Sequence, residues 1–459
     1  MLHLLLNQLD LGRMKKTIIL ICLLLGTSIL LIGQSKQELK RTFVNAEFSL
    51  LYEEYKEALP LFLELYDFGK DDAYIQYRIG QCYLNIRNQK DKAIPFLENA
   101  IQNISENFDV GYYNEKNAPI EAYYQLGIAY RVNNRIEDAI EAFTTYQKLL
   151  NKQSENKEER QKLLDMQLQS CYNALELRKT PTNILEVNLG PKINSPYPNT
   201  NPVVSENEDV LVYTSELRFY DGVFFTKKRA GTWLPARNIS LDFQSDRPLK
   251  PVYISRDGTT LYLQRNDNDD YNLYTSRYVD GFWQAPEKMT SNINTAAAET
   301  HVCLSYDEQT LYFTSNREGG FGGFDIYKCE KNADGEWGQP QNIGPPVNTI
   351  FDEATPFITE NNTLYFSSQG HFNIGGFDIF TTKVNGDNFS EPENLGLPFN
   401  TTDNDLFFFP IKNGKIAYYS KYKENSLGEN DIYRITILGK ENIPETEKTL
   451  QDSLQNQNQ

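Results

Sequence analysis

Two spacings of apolar residues divide the chain. Between Arg41 and about Lys179, apolar side chains recur every three to four positions, which is the period of an amphipathic helix. Beyond residue 180, short runs of alternating apolar and polar residues are separated by turn-forming pairs, which is typical of β-strands. The pattern therefore predicts an α+β multidomain chain, with a helical domain over residues 35–180 and an all-β domain over residues 181–438.

The helical part contains repeats. Residues 73–101 align with residues 121–150, and the later stretch has apolar and small residues at tetratricopeptide-like offsets. Gly127 and Ala139 are small where the two helices of a pair would cross closely, and Phe143 would fill the space beside them. The alternative is a plain helical bundle without repeats.

An earlier pair of small residues extends the pattern. Ala46 and Ala58 have the same twelve-residue gap as the pair above (58 − 46; 139 − 127). With a middle repeat around Gly80, we expect a solenoid of three tetratricopeptide repeats. A helix from Lys157 to Arg178 is expected to cap it, because terminal repeats need a polar outer face.

Solenoids of this kind present a concave face to a partner and seldom catalyse. We therefore expect partner-binding residues on that face of the first helix of each pair. By offset, they are Tyr77, Gln81, Tyr124, Ile128 and Arg131.

The β-rich part repeats one short apolar phrase, of the type "LYFTS" at Leu311, at steps of 50, 50, 53 and 52 residues. Each copy is preceded by a pair of turn-forming residues, such as Asp257–Gly258 or Asn361–Asn362. It is followed by a second strand, then by an aromatic residue near a proline, and then by an asparagine-hydrophobic phrase. Four short strands in a unit of about 50 residues indicate a propeller blade, so the sequence predicts five blades. The phrase begins at Leu211, Leu261, Leu311, Leu364 and Ile416.

The phrase recurs because a single blade has no core and must present the same apolar faces to both neighbours. The fifth unit lacks its last strand, whereas the β-rich part begins with such a strand on its own. Because an open ring would leave strand edges unpaired, we expect Ile184–Leu189 to supply the outer strand of the blade that ends at Leu438.

Several recurring residues have a structural interpretation. A short acceptor before a strand can bind nearby backbone N–H groups and hold a loop. The glycines at 319, 320, 322 and 323 lead into a strand rather than a helix, which favours a hairpin over a phosphate-binding loop. The recurring structural residues are Asp325, Asp378 and Asp431, with Asn272 in the second blade, and Trp233, Trp283 and Trp337.

Three carboxylates share one offset at the start of the innermost strand. Glu299, Glu353 and Asp405 would ring one mouth of the central channel. Five-bladed glycosidases use paired carboxylates near the axis, but an acid and a base need two unlike environments. Repetition from blade to blade indicates architecture, so we expect no catalytic residue and no enzyme activity. The alternatives are a carbohydrate-active enzyme and a receptor for a small ligand or peptide.

Charge and cysteine content exclude other classes. Lys and Arg number 45 against 62 Asp and Glu, a formal net charge of −17 that disfavours nucleic acid. The acidic loop Asn266–Asn272 lacks the glycine and terminal glutamate of an EF-hand, and no CxxC occurs, so we expect no metal and no cofactor. Of the five cysteines, Cys22 lies in the apolar N-terminal run, and the other four, which lack framework spacing, are expected to be buried free thiols: Cys82, Cys171, Cys303 and Cys329.

The N-terminus has the pattern of a secretion signal. From Met14, two lysines are followed by an apolar run, Ile18–Ile32, and by a cleavage zone near Gly33. The run is shorter than the roughly 20 residues of a membrane span. We expect a signal peptide over residues 1–34 with Met14 as the true start, export to the periplasm, and no membrane span after cleavage. An uncleaved anchor is the alternative.

The phrases "GGFGGFDIYK" and "GGFDIF", and N-T-x-x-D-E-x-x-P at Asn348–Pro356, resemble the WD40-like propeller repeat of bacterial envelope proteins, the type also found in TolB. With the tetratricopeptide repeats, the chain resembles a Gram-negative periplasmic family, some of whose members serve type IX secretion and gliding. Members often continue into an OmpA-like domain. Here a polar tail, residues 439–459, follows, which we expect to be disordered, so peptidoglycan anchoring is not implied.

The resemblance implies a non-catalytic scaffold of the cell envelope, peripheral at the outer membrane. Its expected partners are other envelope proteins, bound through the tetratricopeptide groove and the propeller faces.

Overall fold

The computed structural model describes residues 36–151, 157–268 and 270–439. By its contacts the chain divides into two units, Met1–Leu164 and Asp165–Gln459. The predicted signal peptide, and the predicted tail after Gly439, lie outside the described residues. Within the described ranges, no helix combines the length and the apolar character that a bilayer crossing requires.

The first unit is built from helix pairs. Residues 36–51 form helix α1, and a 3₁₀ turn, Lys90–Lys92, precedes the fourth helix. Between the fourth and fifth helices two short strands pair in parallel, β1 (Ile104–Ser105) and β2 (Ala118–Pro119). The further helices of this unit are α2 (Tyr55–Asp67), α3 (Ala73–Leu84), α4 (Ala93–Ala100), α5 (Glu121–Val132) and α6 (Ile136–Leu150). Helix α7 (Lys157–Leu177) contains the boundary between the two units.

Glycines allow the helices of a pair to cross closely, as the repeat pattern predicts. A Cβ atom at Gly80 would lie 2.5 Å from Leu97 Cγ, and one at Gly127 would lie 2.5 Å from the Phe143 ring. Helix α3 also packs on α2, and α5 on α4, so consecutive pairs stack. The predicted pairs α3/α4 and α5/α6 are therefore present.

Helix α1 is tied to α3 by polar and aromatic contacts. Arg78 donates from Nε and a terminal nitrogen to the two carboxylate oxygens of Glu47, at 2.9 and 2.8 Å. The Tyr74 ring contacts the rings of Phe43 and Phe108, at centroid distances of 5.7 and 5.0 Å. Thus one side of α1 and the insertion between α4 and α5 both pack on α3.

The second unit contains five antiparallel sheets, which we number as blades 1 to 5 in chain order. The five-bladed propeller predicted from the sequence is confirmed. The strands before and within blades 1 and 2 are β3 (Asn183–Asn188), β4 (Asn199–Val204), β5 (Val210–Glu216), β6 (Asp221–Arg229), β7 (Thr232–Trp233), β8 (Arg237–Asn238), β9 (Leu249–Ile254), β10 (Thr260–Asn266), β11 (Tyr271–Val279), β12 (Phe282–Trp283) and β13 (Glu287–Lys288).

Blades 3 to 5 follow the same order. The first strand of each blade lies innermost, against the first strands of its neighbours. The strands are β14 (Glu299–Leu304), β15 (Thr310–Ser315), β16 (Asp325–Glu330), β17 (Gln341–Asn342), β18 (Glu353–Ile358), β19 (Thr363–Ser368), β20 (Asp378–Asn385), β21 (Asn388–Phe389), β22 (Glu393–Asn394), β23 (Phe409–Ile411), β24 (Ile416–Lys421) and β25 (Asp431–Gly439).

The ring is closed by its first strand. Strand β3 pairs antiparallel with β25, with Leu185 opposite Thr436 and Val187 opposite Arg434, and completes the sheet β23-β24-β25-β3. The predicted borrowing of Ile184–Leu189 by the last blade is therefore confirmed, since the Leu189 backbone N–H also donates to Ile432 O at 3.2 Å.

The turn and core predictions are also confirmed. Each predicted turn pair contains a residue with positive φ, for example Gly258 (72°) and Asn362 (57°), so these turns use the conformation that glycine and asparagine tolerate. The first leucine of the phrase is fully buried in blades 1 to 4. Cys82, Cys171, Cys303 and Cys329 are buried free thiols, as predicted.

Candidate functional site

The three carboxylates predicted at the channel mouth are bound by the turns that precede their strands. Thr349 donates from N and Oγ1 to Glu353, at 2.8 and 2.7 Å. Thr295 binds Glu299 in the same way, both distances being 2.9 Å. Thr401 donates to Asp405 from N and Oγ1, at 2.5 and 3.0 Å. Each carboxylate thus caps its own turn.

The three carboxylates differ in the charged side chains that surround them. Burial raises the pKa of Glu353 to about 7, and the nearby carboxylate of Asp325 raises it as well, although hydrogen bonds from Thr349 and Ser368 lower it. Burial raises the pKa of Asp405, a partly buried residue, to about 8, and Asp378 contributes. Each of these carboxylates therefore lies near an aspartate of the preceding blade.

Glu299 has a counter-charge. Arg317 donates to its Oε1 at 3.2 Å, and Ser315 donates from Oγ to the same oxygen at 2.8 Å. In blade 1 the same offset carries Asn199, whose Oδ1 accepts from the Ser195 N–H at 2.8 Å. Because an amide can replace the carboxylate, capping of the turn is what these positions have in common.

The recurring aspartates hold the loop before the third strand. Asp325 accepts from the backbone N–H groups of Phe321 and Gly322, at 2.5 and 3.2 Å. Asp378 and Asp431 accept from Ile374 and Leu427 in the same way, at 2.7 and 3.0 Å. An asparagine of the outer strand also donates from Nδ2 to each aspartate, and these are Asn342, Asn394 and Asn188.

A second asparagine, six residues after the first, latches the third strand. The Asn348 side chain accepts from Ile326 N at 2.9 Å and donates to Ile326 O and to Asn342 Oδ1, both at 2.8 Å. The phrases "NIGPPVN" and "NLGLPFN" contain both residues, but sequence reasoning missed their role. The equivalent latches are Asn194 on Ile432, Asn294 on Leu273 and Asn400 on Ile379.

The glycine pairs form joints between blades. Phe324 of blade 3 accepts at O from Glu353 N, at 2.7 Å, and donates from N to Asp352 Oδ1, at 2.8 Å. A Cβ atom at Gly322 would lie only 1.9 Å from Phe351 O. The hairpin interpretation of these glycines therefore holds, and the same hairpin carries the contact with the next blade.

Similar backbone contacts occur at two further boundaries between blades. Between blades 4 and 5, Phe377 accepts at O from Asp405 N, at 2.7 Å, and donates to Asn404 Oδ1, at 2.9 Å. Between blades 5 and 1, Asn199 N donates to Asn430 O at 2.7 Å. The repeated phrase thus encodes a contact between blades as well as an apolar face.

Aromatic rings from three inner strands meet at the centre of the propeller. The Phe357 and Phe409 rings are 4.6 Å apart, and the Tyr253 ring lies 6.0 and 6.1 Å from them. All three residues are buried. At this level side chains of blades 2, 4 and 5 occupy the axis, which restricts any ligand site to the ends of the channel.

One end of the inner strands carries strained residues that the sequence analysis missed. Asn201, Thr355 and Phe407 have φ values of 53°, 50° and 58°, a conformation that asparagine tolerates but that is unfavourable for threonine and phenylalanine. The Phe407 ring contacts the His301 ring at 5.1 Å, and burial lowers the pKa of His301 to about 4, so this imidazole is neutral at pH 7. Each lies two residues after the channel-mouth position of its blade, which is Asn199, Glu353 or Asp405, and this common offset could have identified them.

The tryptophans lie in or against the propeller core. Trp233 and Trp283 are buried, and Trp337 packs against the core while half-buried. Lys228 and Lys331 lie over the rings of Trp233 and Trp337, at 4.6 and 5.0 Å. These positions are consistent with packing between strands.

Of the five residues predicted on the concave helical face, two are buried and three are half-buried. Tyr77 and Arg131 are buried. Tyr124 is half-buried and contacts the rings of Phe143 and Tyr146. The two half-buried residues that remain are Gln81 and Ile128; Gln81 accepts from Arg78 at 2.9 Å, and Ile128 packs against the helical core.

The acidic loop of blade 2 is held by cations and hydroxyls of its own sheet. Asp267 accepts from Arg265 Nε at 2.6 Å and from Tyr274 Oη at 2.5 Å. Burial opposes ionisation of Asp267, but these bonds prevail and lower its pKa. Among the described residues, which omit position 269, no group of three or more His, Cys, Asp or Glu side chains is placed to bind a metal.

Comparison with known proteins gives one family match. Residues 74–103 match the tetratricopeptide repeat family, which confirms the middle repeat predicted around Gly80. No curated protein matches the chain.

Among solved structures, the chain is similar to TolB from Acinetobacter baumannii, with 15% identity over 53% of this chain and 55% of that one, and a TM-score of 0.36. It thus spans about half the length of that protein. A putative TolB from Agrobacterium tumefaciens has 13% identity over 54% and 78% of the two chains, with a TM-score of 0.33. The catalytic domain of a Coprinopsis cinerea GH62 α-L-arabinofuranosidase has 11% identity over 56% and 98%, with a TM-score of 0.36. At these values the likenesses carry no argument about function.

Proposed function

We propose that the protein is a non-catalytic scaffold of the bacterial cell envelope, which binds other envelope proteins. The observation that carries the proposal is the role of the repeated polar residues. Glu299, Glu353 and Asp405 each bind the turn before their own strand, and the recurring aspartates bind their own loops. Chemistry at one site would require unlike carboxylates that converge on a substrate.

The two repeat folds support binding of proteins. Stacked helix pairs expose a continuous surface along several repeats, and proteins of this class recognise partners through it. A propeller adds two broad faces built from the loops of its blades. We assign partner binding to the half-buried Gln81 and Ile128 on the helices and to the loops on the propeller faces.

The sequence supports location in the periplasm. The segment from Met14 has the order of a secretion signal, with lysines, an apolar run and small residues. The resemblance to envelope propeller proteins extends the proposal to a peripheral place at the outer membrane, in a secretion or gliding complex.

Cross-linking in envelope extracts tests the proposal. The wild-type protein, the variant Gln81→Glu/Ile128→Glu and the control Glu141→Ala, which changes an exposed residue of α6, are captured after cross-linking and analysed by mass spectrometry. We expect a set of envelope proteins to be retained by wild type and control and lost with the double variant. Recovery of the same proteins with all three chains would contradict binding at the helical face.

A propeller enzyme is the second candidate, favoured by the raised pKa of Glu353, because such shifts cluster at catalytic sites. It predicts hydrolysis of aryl glycosides that disappears in Glu353→Gln. A scaffold shows no turnover in either chain. Measured turnover that depends on Glu353 would replace the scaffold proposal.

A further inference from the structure

One side of helix α1 is apolar and exposed. Val44, Phe48, Leu51 and Tyr52, which we call the α1 face, follow each other at the spacing of one helix side. Phe48 is 59% exposed and Leu51 is 77% exposed. The rings of Phe48 and Tyr52 contact each other at 4.8 Å. An apolar surface of this kind on a soluble unit marks an interaction site.

The other helix pairs show what normally covers this side. Phe48 lies two residues after Ala46, and Cys82 and Ala129 lie two residues after Gly80 and Gly127. Cys82 and Ala129 are fully buried, because α3 packs on α2 and α5 packs on α4. Helix α1 is the first described helix. Its equivalent side carries a large exposed ring where the inner repeats carry small buried residues.

A terminal helix that served only as a cap would be polar on this side. The α1 face is instead flanked by opposite charges. Lys40 and Arg41 are exposed toward the start of α1, and Glu53 and Glu54 are exposed just beyond its end. Glu38 forms an exposed pair with Arg41 at 3.9 Å, which contributes little in water. The surface is therefore basic at one end, apolar in the middle and acidic at the other end.

We propose that the α1 face is a homodimer interface, in which two copies of the chain pack their α1 helices antiparallel about a two-fold axis near Phe48. In this arrangement the apolar middles cover each other, and the basic end of each copy lies beside the acidic end of its partner. A two-fold interface requires such self-complementarity. The inference does not depend on the proposed scaffold function.

Sedimentation equilibrium of the purified protein tests the proposal. We expect a species of twice the chain mass that dissociates on dilution. Phe48→Glu places a charge on the axis and should weaken dimerisation by more than about tenfold. The matched control is Leu241→Glu, an exposed residue of blade 1 that should leave the dimer unchanged. Helical circular dichroism and the melting temperature check that each variant is folded.

Exchange of charges tests the antiparallel arrangement without altering the apolar middle. The variants Lys40→Glu/Arg41→Glu and Glu53→Lys/Glu54→Lys should each dimerise poorly, because like charges then meet at both ends. Mixed together, they should form a heterodimer. A monomeric wild-type chain, or a dimer unaffected by Phe48→Glu, overturns the proposal and leaves the face for a different protein. Failure of the mixture to associate overturns the antiparallel pairing.

Discussion

Blades 3 to 5 and blades 1 to 2 share one architecture but meet their neighbours differently. After blades 3 and 4, the loop before the third strand contacts the next blade through backbone and glycine, as at Phe324 and Gly322. Blade 1 has Asp221 at the offset of Phe324, and its carboxylate pairs with Lys250 of blade 2 at 3.4 Å. The difference shows that strand order and apolar faces suffice for a blade, whereas the glycine phrase specifies the joint.

The strongest test of the comparison places a Cβ atom in a joint. In Gly375→Ala the new atom would lie 1.9 Å from Asp403 O, so the backbone of blade 4 or 5 must shift. We expect a loss of about 3 kcal/mol in the free energy of unfolding, measured by urea denaturation. The control is Gly222→Ala in blade 1, whose Cβ would meet only side-chain atoms at 3.0 Å or more. Equal losses would show that the glycine joints are not special.

A second test uses the buried carboxylate of the joint between blades 3 and 4. The folded-state pKa of Glu353 is raised to about 7, so between about pH 4.5 and 7 the folded chain keeps a proton that the unfolded chain has lost. Stability therefore falls as pH rises through this window. Glu353→Gln should remove this dependence and be about 3 kcal/mol more stable than wild type at pH 8, with no difference near pH 4. Parallel stability–pH curves for the two chains would contradict the prediction.

A third test compares the latches of the third strand. Asn400→Ala in blade 4 leaves the buried Ile379 N–H without its acceptor, which should cost about 2 kcal/mol. In blade 1 the equivalent N–H of Val223 donates to Oγ of the half-buried Ser240 at 2.9 Å. In Ser240→Ala a water molecule can replace this hydroxyl as the acceptor, so the expected cost is only about 1 kcal/mol. Hydrogen exchange of the two amides reports each loss locally. Equal protection in both variants would argue against the latch.

The smallest effect is expected at the ion pair between blades 1 and 2. Both partners are partly exposed, so Lys250→Ala should cost less than about 1 kcal/mol. The cost should shrink further in high salt, because ions screen exposed pairs. Urea denaturation at low and high salt measures both values, and a salt-independent loss would assign the effect to packing.

The sequence predicted the blades but not the contacts between them. The period near 50 residues and the orphan strand at Ile184–Leu189 predicted the number of blades and the closure, because both follow from the need to pair every strand edge. The pairing of Phe324 with Asp352 and Glu353 could not be predicted in this way, since it joins the backbone of one loop to a side chain and a backbone N–H of the next blade, and their distance depends on how the blades are inclined.

In the helical unit, the sequence predicted the contacts between helices but not which side chains are exposed. Offsets within the repeat correctly placed Gly80 and Gly127 at helix crossings, because close packing fixes the residue size there. The same offsets placed Tyr77 and Arg131 on a binding face, but both side chains are buried. Exposure depends on neighbouring aromatic residues and on the insertion after α4, which no repeat pattern describes.

The pairing of β3 with β25 has a consequence for biosynthesis. Strand β3 is synthesised before every other strand of the propeller, and its partner β25 begins some two hundred and forty residues after β3 ends (431 − 188 = 243). A chain that stops before Asp431 leaves one strand without a partner at each end of an open array. The ring can therefore be closed only after the residues of β25 have emerged, and a nascent chain must keep β3 from pairing with another molecule until then.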